Sequence, residues 1–395
     1  MIRGGTSLIA FRIPSAKIKS RVHGGFRGFQ IMASHSDSPT FKVKENPEME
    51  AEKAYVKLNV EKYGGMLIAP WFDRPLSVAG RLIVRENGRI VSKLVNVDKD
   101  LLLIPSLAVH MDRQANEGHK YNVQKELLPL YGMIGAKGTF LRAVAESAGV
   151  SEEDILGHDL FLYNRVRGTI WGAEDAFLSS ARLDDLQCAY ASLMGLLSAD
   201  VHSGIAVHCM LDNEEVGSST KQGAASSFLK DTLTRICICL GKTQQDYYAM
   251  LASSFMLSAD NAHAVHPNLP EKADPTNRPA MNQGIVIKYN ANQKYTTDGV
   301  SAAIFKSICQ IADVPYQTFL NRSDMAGGST LGNISNTQVA LNTVDIGLAQ
   351  LSMHSPYETA GTKDTDYLIR AVRTFYESSI CCLEDGRYTV EADAW

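Results

Sequence analysis

The chain has 395 residues, of which 45% are hydrophobic and 21% are charged, and its formal net charge is −4. This composition is typical of a globular protein and excludes a disordered or fibrous chain. The length exceeds what one hydrophobic core usually serves, which predicts two domains. The small negative charge, with Lys and Arg scattered along the chain, argues against a nucleic-acid partner.

Cysteine usage and hydropathy predict where the protein resides. The seven cysteines are odd in number and include no Cys-x-x-Cys, which indicates reduced thiols. The apolar run Leu8–Phe11 is too short for a signal peptide or an anchor, and no other stretch approaches a membrane span. We therefore expect a cytoplasmic protein without a membrane partner.

Four short apolar runs each end in polar residues, which is the pattern of a buried strand followed by a loop. They occupy residues 29–33, 204–211, 255–258 and 344–348. Helical patterns alternate with them at 186–198, 301–312 and 367–378. This alternation predicts an α/β fold in which helices sandwich a mixed, mostly parallel sheet.

The stretch between the first two of these strands has a different pattern. Two β-prone runs, 78–84 and 89–95, flank Glu86-Asn87-Gly88, and Asn-Gly between such runs strongly indicates a hairpin. We expect a β-rich domain at 39–167, inserted into an α/β domain formed by 1–38 and 168–395.

Candidate metal ligands follow the predicted strands. Ligands of open α/β sheets bind beyond the carboxyl ends of the strands. Those ends carry the side chains of His35, Glu214, Glu215, Asp260 and His354. The segment Arg182-Leu183-Asp184-Asp185 adds two carboxylates before a predicted helix. Imidazoles and carboxylates without sulfur suit zinc, manganese or cobalt in a hydrolytic site.

A two-metal hydrolytic site explains why so many acids occur together. A bridging carboxylate offsets the repulsion between two cations, and metal-bound water with a pKa of about 7 supplies hydroxide at neutral pH. A further carboxylate must pass the water proton to the leaving amine. Adjacent glutamates outside a helix point in different directions, so we expect Glu215 at a metal and Glu214 at the water. Asp37 is a candidate to orient the His35 imidazole, and the bridge is either Asp184 or Asp185.

Each of these residues alone is weak evidence, because strand-end histidines more often serve loop hydrogen bonds and paired acids are usually solvated. No His-Glu-x-x-His or Gly-x-Ser-x-Gly motif occurs, and His202 and His208 receive no role. The glycine-rich segment Gly327–Gly332 lacks the lysine of a P-loop. It predicts a turn-rich loop, with a loop near the substrate as the alternative.

The candidates lie in segments that resemble the aspartyl aminopeptidases, a family of dinuclear zinc exopeptidases. The resemblance runs in order through nearly the whole chain, in Ala33–Pro39, Tyr63–Gly65, Trp71–Arg74, Arg182–Leu186, Asp212–Ser218, Asp260–Asn268 and Met353–Ser355. It implies a metalloaminopeptidase that removes N-terminal residues, acidic ones (Asp or Glu), from peptides.

The resemblance also implies two divalent ions per subunit, with zinc expected first and manganese or cobalt as alternatives. It assigns His35 and Asp260 to one ion, Glu215 and His354 to the other, Asp184 to the bridge and Glu214 to the general base. In related enzymes a cis peptide bond often follows the bridging aspartate.

Two further residues acquire roles only through the resemblance. Lys288 matches a basic residue near an acidic substrate side chain, although by itself it predicts a surface residue at a strand end. His110 matches a histidine that reaches the active site of a neighbouring subunit and stabilises the developing oxyanion there; by itself it predicts a loop histidine.

The resemblance implies a homo-oligomer as well. The β-rich insertion would dimerise, and dimers would build a tetrahedral dodecamer that encloses the active sites. Family members usually carry several dozen more residues before the segment that matches Ser7–Phe11. A truncated start and an absence of the family's first helices are both open.

Two alternative functions stay open at this stage. Another dinuclear-zinc amidohydrolase, such as a carboxypeptidase or deacylase, would use the same chemistry, but only an aminopeptidase needs the free amine of a peptide. An inactive structural homologue would lack both metal and activity, and the presence of Glu214, which is not a ligand, argues against it.

Overall fold

The computed structural model describes residues 1–14, 28–384 and 386–392. The chain divides into two compact units. The first consists of Met1–Ser38, Thr169–Met353 and Glu358–Trp395, and the second of Pro39–Gly168 and His354–Tyr357.

The strands, in chain order, are β1 (Ile2–Arg3), β2 (Ser7–Arg12), β3 (Phe29–His35), β4 (Thr40–Ala51), β5 (Tyr55–Tyr63), β6 (Leu76–Glu86), β7 (Arg89–Asn96), β8 (Leu130–Met133), β9 (Ile155–Asn164), β10 (Thr169–Trp171), β11 (Phe177–Ser180), β12 (Ile205–Leu211), β13 (Phe255–Ala259), β14 (Ala262–His263), β15 (Ile285–Lys288), β16 (Tyr316–Phe319), β17 (Asn342–Gly347), β18 (Ala349–Leu351), β19 (Glu358–Gly361), β20 (Ser378–Glu384) and β21 (Arg387–Ala392). The α-helices are α1 (Val123–Glu126), α2 (Phe140–Ala148), α3 (Leu183–Ser198), α4 (Phe228–Cys239), α5 (Gln244–Ala252), α6 (Gly299–Ile311), α7 (Leu331–Ser335) and α8 (Asp364–Glu377). Short 3₁₀ helices span Ala69–Trp71, Ile134–Ala136, Glu152–Asp154, Ala173–Asp175, Glu214–Val216 and Pro270–Lys272.

The first unit is built on an eight-stranded sheet with the order β1-β2-β12-β3-β13-β17-β15-β16. Strands β12, β3, β13 and β17 are parallel to one another, whereas β15 runs antiparallel to β17. All seven residues of β3 are buried, as expected of a parallel strand that is covered on both faces. This sheet confirms the predicted mixed, mostly parallel architecture.

Residues of the central strands alternate between two core clusters. Met32 of β3 and Leu257 of β13 belong to a cluster with side chains from α3, α6 and α8. Ile31 of β3 and Met256 of β13 belong to a second cluster with side chains from α4, α5 and α7. Because successive strand residues point to opposite faces, helices cover both faces of the sheet. The predicted helices at 186–198, 301–312 and 367–378 correspond to α3, α6 and α8.

The first unit also contains a five-stranded sheet with the order β10-β11-β19-β18-β14 and the antiparallel pair β20-β21. None of the helices in the described ranges combines the length and the apolar character needed to cross a membrane.

The second unit is built on a six-stranded sheet with the order β7-β6-β9-β4-β5-β8. The hairpin of β6 and β7 turns at Asn87 and Gly88, whose φ angles are 50° and 74°. Positive φ at both positions is what a two-residue hairpin loop requires and is the reason why Asn-Gly indicates one. The sheet buries its own apolar cluster, which includes Phe41, Leu76 and Phe140.

Candidate active site

The parallel register places three polar segments at neighbouring strand ends. In the register of β3 and β12, His35 lies opposite Leu211, and Ala33 pairs with Ser258 of β13. The residues that follow β12 form the 3₁₀ helix Glu214–Val216, and Asp260 directly follows β13. The carboxyl ends of parallel strands are where α/β sheets bind ligands.

Helix α3 brings the paired aspartates to the same place. Its first residues, Asp184 and Asp185, are buried and have non-helical backbone angles. The peptide bond between them is cis. The non-helical start of α3 places two adjacent carboxylates beside His35, at the carboxyl end of β3.

The predicted ligand atoms that belong to the first unit converge. His35, Asp184, Asp185 and Asp260 offer ligand atoms that all lie within 4.8 Å of one another. His35 Nε2 is 3.5 Å from Asp184 Oδ1 and 3.8 Å from Asp260 Oδ1.

Two further contacts bring the paired glutamates to the same cluster. A ligand atom of His35 lies within 4.8 Å of ligand atoms of Glu214 and Glu215, and a ligand atom of Asp184 lies within 4.8 Å of one of Glu215. Asp184 is therefore within reach of both Asp260 on one side and Glu215 on the other.

Asp37 contacts the His35 imidazole and also the backbone of the glutamate pair. His35 Nδ1 is 3.0 Å from the Asp37 backbone oxygen and 3.5 Å from Asp37 Oδ1. The two carboxylate oxygens also accept the backbone N–H groups of Glu214, at 3.0 Å, and Glu215, at 3.1 Å. Asp37 thus holds both the His35 ring and the backbone of the glutamate pair.

Lys288 is buried rather than on the surface. Only 3% of its surface is exposed, and its Nζ lies 3.4 Å from Asp260 Oδ2. The ammonium also sits 5.3 Å above the centre of the Tyr295 ring, within the range of a cation–π contact. Burial opposes its charge, but the Asp260 carboxylate raises the pKa of Lys288 above its ordinary value. Lys288 is therefore a cation fixed beside the ligand cluster.

Crowding of carboxylates perturbs their ionisation. Burial, followed by repulsion from Asp260, raises the pKa of Glu214 to about 7, and burial with repulsion from Asp184 raises the pKa of Glu215 to about 10. Burial also opposes ionisation of Asp260, but Lys288 and His35 hold its pKa well below the usual range. Such a cluster stabilises positive charge placed within it.

The donor set fits divalent cations. It consists of an imidazole and several carboxylates without a thiolate, which suits zinc and also manganese or cobalt. The nearby thiol of Cys188 donates instead to Asn261 Oδ1 at 3.1 Å.

Two residues that position the cluster were not predicted. Glu358, 1% exposed, accepts the backbone N–H of Asp184 at 3.0 Å through Oε2. Asn261 donates through Nδ2 to Leu183 O, Gln187 Oε1 and Gln350 Oε1. The adjacency of Asn261 to Asp260 was the only hint in the sequence, and nothing local distinguished Glu358.

The remaining predicted site residues belong to the second unit. His354 starts the short segment His354–Tyr357, and its φ is 65°. His110 lies in an exposed turn between β7 and α1. The metal-binding role of His354 and the catalytic role of His110 stay predictions.

A family model described as Aminopeptidase I zinc metalloprotease (M18) matches residues 1–376. The chain belongs to the M18 family of zinc aminopeptidases. This membership confirms the predicted aminopeptidase family and makes the protein a metalloaminopeptidase. The carboxypeptidase, deacylase and inactive alternatives are not favoured.

Individual M18 proteins are similar over most of their length. A "Probable M18 family aminopeptidase 2" of Clostridium acetobutylicum is 46% identical over 380 residues, which are 95% of this chain and 86% of that protein. The structure titled "Cryo-EM structure of the Ape4 and Nbr1 complex" superposes with a TM-score of 0.89 at 36% identity, covering 95% of this chain and 75% of that chain. The S. cerevisiae mApe1 dodecamer gives a TM-score of 0.80 at 29% identity, covering 95% of this chain and 84% of that chain.

Proposed function

We propose that this M18 aminopeptidase removes acidic residues, Asp or Glu, from the N-termini of peptides. The observation that carries the proposal is the buried ammonium of Lys288, 3.4 Å from Asp260 Oδ2 at the edge of the ligand cluster. A fixed cation next to the reacting centre favours a substrate side chain of opposite charge, since Coulomb attraction is strong where water is excluded.

Two divalent cations are proposed to occupy the cluster, with zinc as the preferred metal. His35 and Asp260 would hold one, Glu215 and His354 the other, and Asp184 would bridge them. The support for the bridge is that Asp184 lies within reach of the pair His35 and Asp260 on one side and of Glu215 on the other. When bound, such ions supply Lewis-acid polarisation of the peptide carbonyl and lower the pKa of water to about 7.

Glu214 is proposed as the general base. It takes up the proton released by the attacking water and returns it to the leaving amine. Its backbone N–H is bound by Asp37, which holds the residue in place next to Glu215.

The active unit is proposed to be a homo-oligomer in the cytoplasm. The β-rich domain at 39–167 would form the dimer contact, and His110 would reach the α/β domain, residues 1–38 and 168–395, of a neighbouring subunit to stabilise the oxyanion. The dodecamer of the similar yeast mApe1 supports this assembly, and seven free cysteines support a reducing compartment.

The test is a panel of peptides that differ only in the N-terminal residue, with the N-acetylated peptide as the control for a free amine. We expect cleavage of Asp and Glu peptides well above Leu and Lys peptides, and none of the acetylated form. Lys288→Leu should reduce kcat/KM for acidic peptides far more than for the Leu peptide. Lys294→Leu, an exposed lysine in the following loop, is the matched control. Equal losses on acidic and neutral peptides would remove the role of Lys288.

A further inference from the structure

The glycine-rich segment Gly327–Gly332 begins as a loop in which Gly328 and Ser329 are exposed, but its last three residues are buried. Thr330 is fully buried, and Gly332 lies in the first turn of α7. A Cβ added to Gly332 would lie 2.6 Å from Oδ1 of the buried Asp345 on β17. A side chain at position 332 would therefore keep the segment from approaching β17 this closely.

This approach brings the hydroxyl of Thr330 to a predicted metal ligand. Thr330 Oγ1 donates to Asp260 Oδ2 at 2.8 Å, and Lys288 Nζ lies 3.4 Å from the same oxygen. The other oxygen, Oδ1, faces His35 Nε2 at 3.8 Å. The two oxygens of Asp260 thus have separate partners: Oδ2 faces a hydroxyl and an ammonium, and Oδ1 faces the ligand cluster.

We propose that Thr330 is a positioning residue that fixes the Asp260 carboxylate so that only Oδ1 is offered to a cation. A carboxylate without such a partner can rotate and exchange its oxygens, whereas a hydrogen bond to one oxygen restrains the plane of the group. Partners of ligating groups typically change metal affinity by roughly 10–100-fold when they are removed. The proposal rests on the ligand assignment made under the proposed function.

Thr330 and Lys288, which both contact Asp260 Oδ2, have different roles. Lys288 is the longer contact, and its ammonium is the group proposed to attract an acidic substrate side chain. Thr330 has no such competing partner in the proposed reaction, because its hydroxyl points to Asp260 from a fully buried position. It therefore keeps Asp260 oriented while the substrate binds.

The test compares Thr330→Val, which keeps the shape but removes the donor, with Thr330→Ser, which keeps the donor. Thr232→Val is the matched control, since Thr232 is equally buried and donates to Phe228 O at 2.8 Å in α4. Zinc affinity is measured by competition with a chelator on purified full-length protein, with circular dichroism and thermal unfolding as checks of folding. We expect Thr330→Val to bind one of two ions about 10-fold more weakly, with Thr330→Ser and Thr232→Val close to the unmodified protein.

Two results would overturn the role of Thr330: unchanged affinity for both ions in folded Thr330→Val, or an equal loss in Thr330→Ser. Asp260→Asn separates this failure from failure of the ligand assignment. If Asp260→Asn loses one ion while Thr330→Val loses no affinity, only the positioning role is wrong. If Asp260→Asn retains both ions at full affinity, the ligand assignment is wrong and the role of Thr330 falls with it.

Discussion

A buried histidine outside the active site predicts a defined acid sensitivity of the first unit. His208 lies within β12, opposite Ala10 of β2 and Met32 of β3, and is 1% exposed. Its Nδ1 finds no hydrogen-bond partner among the residues that the structure describes. Burial lowers the pKa of His208 to about 4, so the ring is uncharged at neutral pH.

The size of the effect follows from the difference between folded and unfolded chains. An unfolded histidine has a pKa of about 6.5, so between pH 6.5 and 4 the unfolded chain binds more protons than the folded one. A pKa difference of about 2.5, at 1.36 kcal/mol for each unit, corresponds to roughly 3 kcal/mol. This contribution to stability is fully present above pH of about 6.5 and is lost as the pH falls toward 4.

The assay is urea unfolding of the unmodified protein and of His208→Leu at several pH values between 7 and 4. Leucine fills the apolar site without a titratable group. As the pH falls from 7 to 4, we expect the unmodified protein to lose about 3 kcal/mol more free energy of unfolding than the variant loses. Both proteins keep His35 and the carboxylate cluster, so proton uptake there cancels in the difference. Parallel pH profiles for the two proteins would refute the reasoning.

Two other predictions concern the catalytic base and the second unit. Glu214→Gln should retain its metal content by elemental analysis while turnover falls by roughly 10²–10⁴-fold, because the amide cannot accept the proton; undiminished hydrolysis would contradict the mechanism. Gly80→Ala should destabilise the second unit by about 1–3 kcal/mol in thermal unfolding, since a Cβ there would lie 2.0 Å from the Asp159 backbone oxygen. Gly88→Ala is its control, with positive φ but nothing within 4 Å of the added Cβ, and an equal loss in both variants would show that the close contact does not matter.

The central strands and the helices α3, α6 and α8 were predictable because their patterns are local, whereas α4 and α5 were not predicted. A strand covered on both faces is mostly apolar, as β3 is at Phe29 and over Ile31–Ala33, and the polar residues from Ser34 onward mark where the strand ends. The hairpin of β6 and β7 was predictable because the two positive φ angles of its turn select Asn-Gly.

Contacts between distant parts of the chain were not predictable in this way. The Asp37 carboxylate binds the backbone of Glu214 across 177 positions, and Thr330 reaches Asp260 across 70. The sequence around each of these residues gives no indication of its distant partner. Lys288 follows an apolar run and so resembles any lysine at an exposed strand end, and its burial is explained by Asp260 and Tyr295, which are its partners in the folded chain.

The choice between Asp184 and Asp185 depends on the same kind of contact. Adjacent carboxylates have identical chemistry, and the residues alone left both open as the bridge. In the fold, Asp185 Oδ2 accepts the backbone N–H of His35 at 3.1 Å and so ties the start of α3 to the end of β3. The backbone N–H of Asp184 is held by Glu358 Oε2, and its Oδ1 lies 3.5 Å from His35 Nε2. Under the proposed ligand assignment, a substitution at Asp185 should act through the position of His35, whereas one at Asp184 should weaken the binding of both proposed ions in a chelator competition assay.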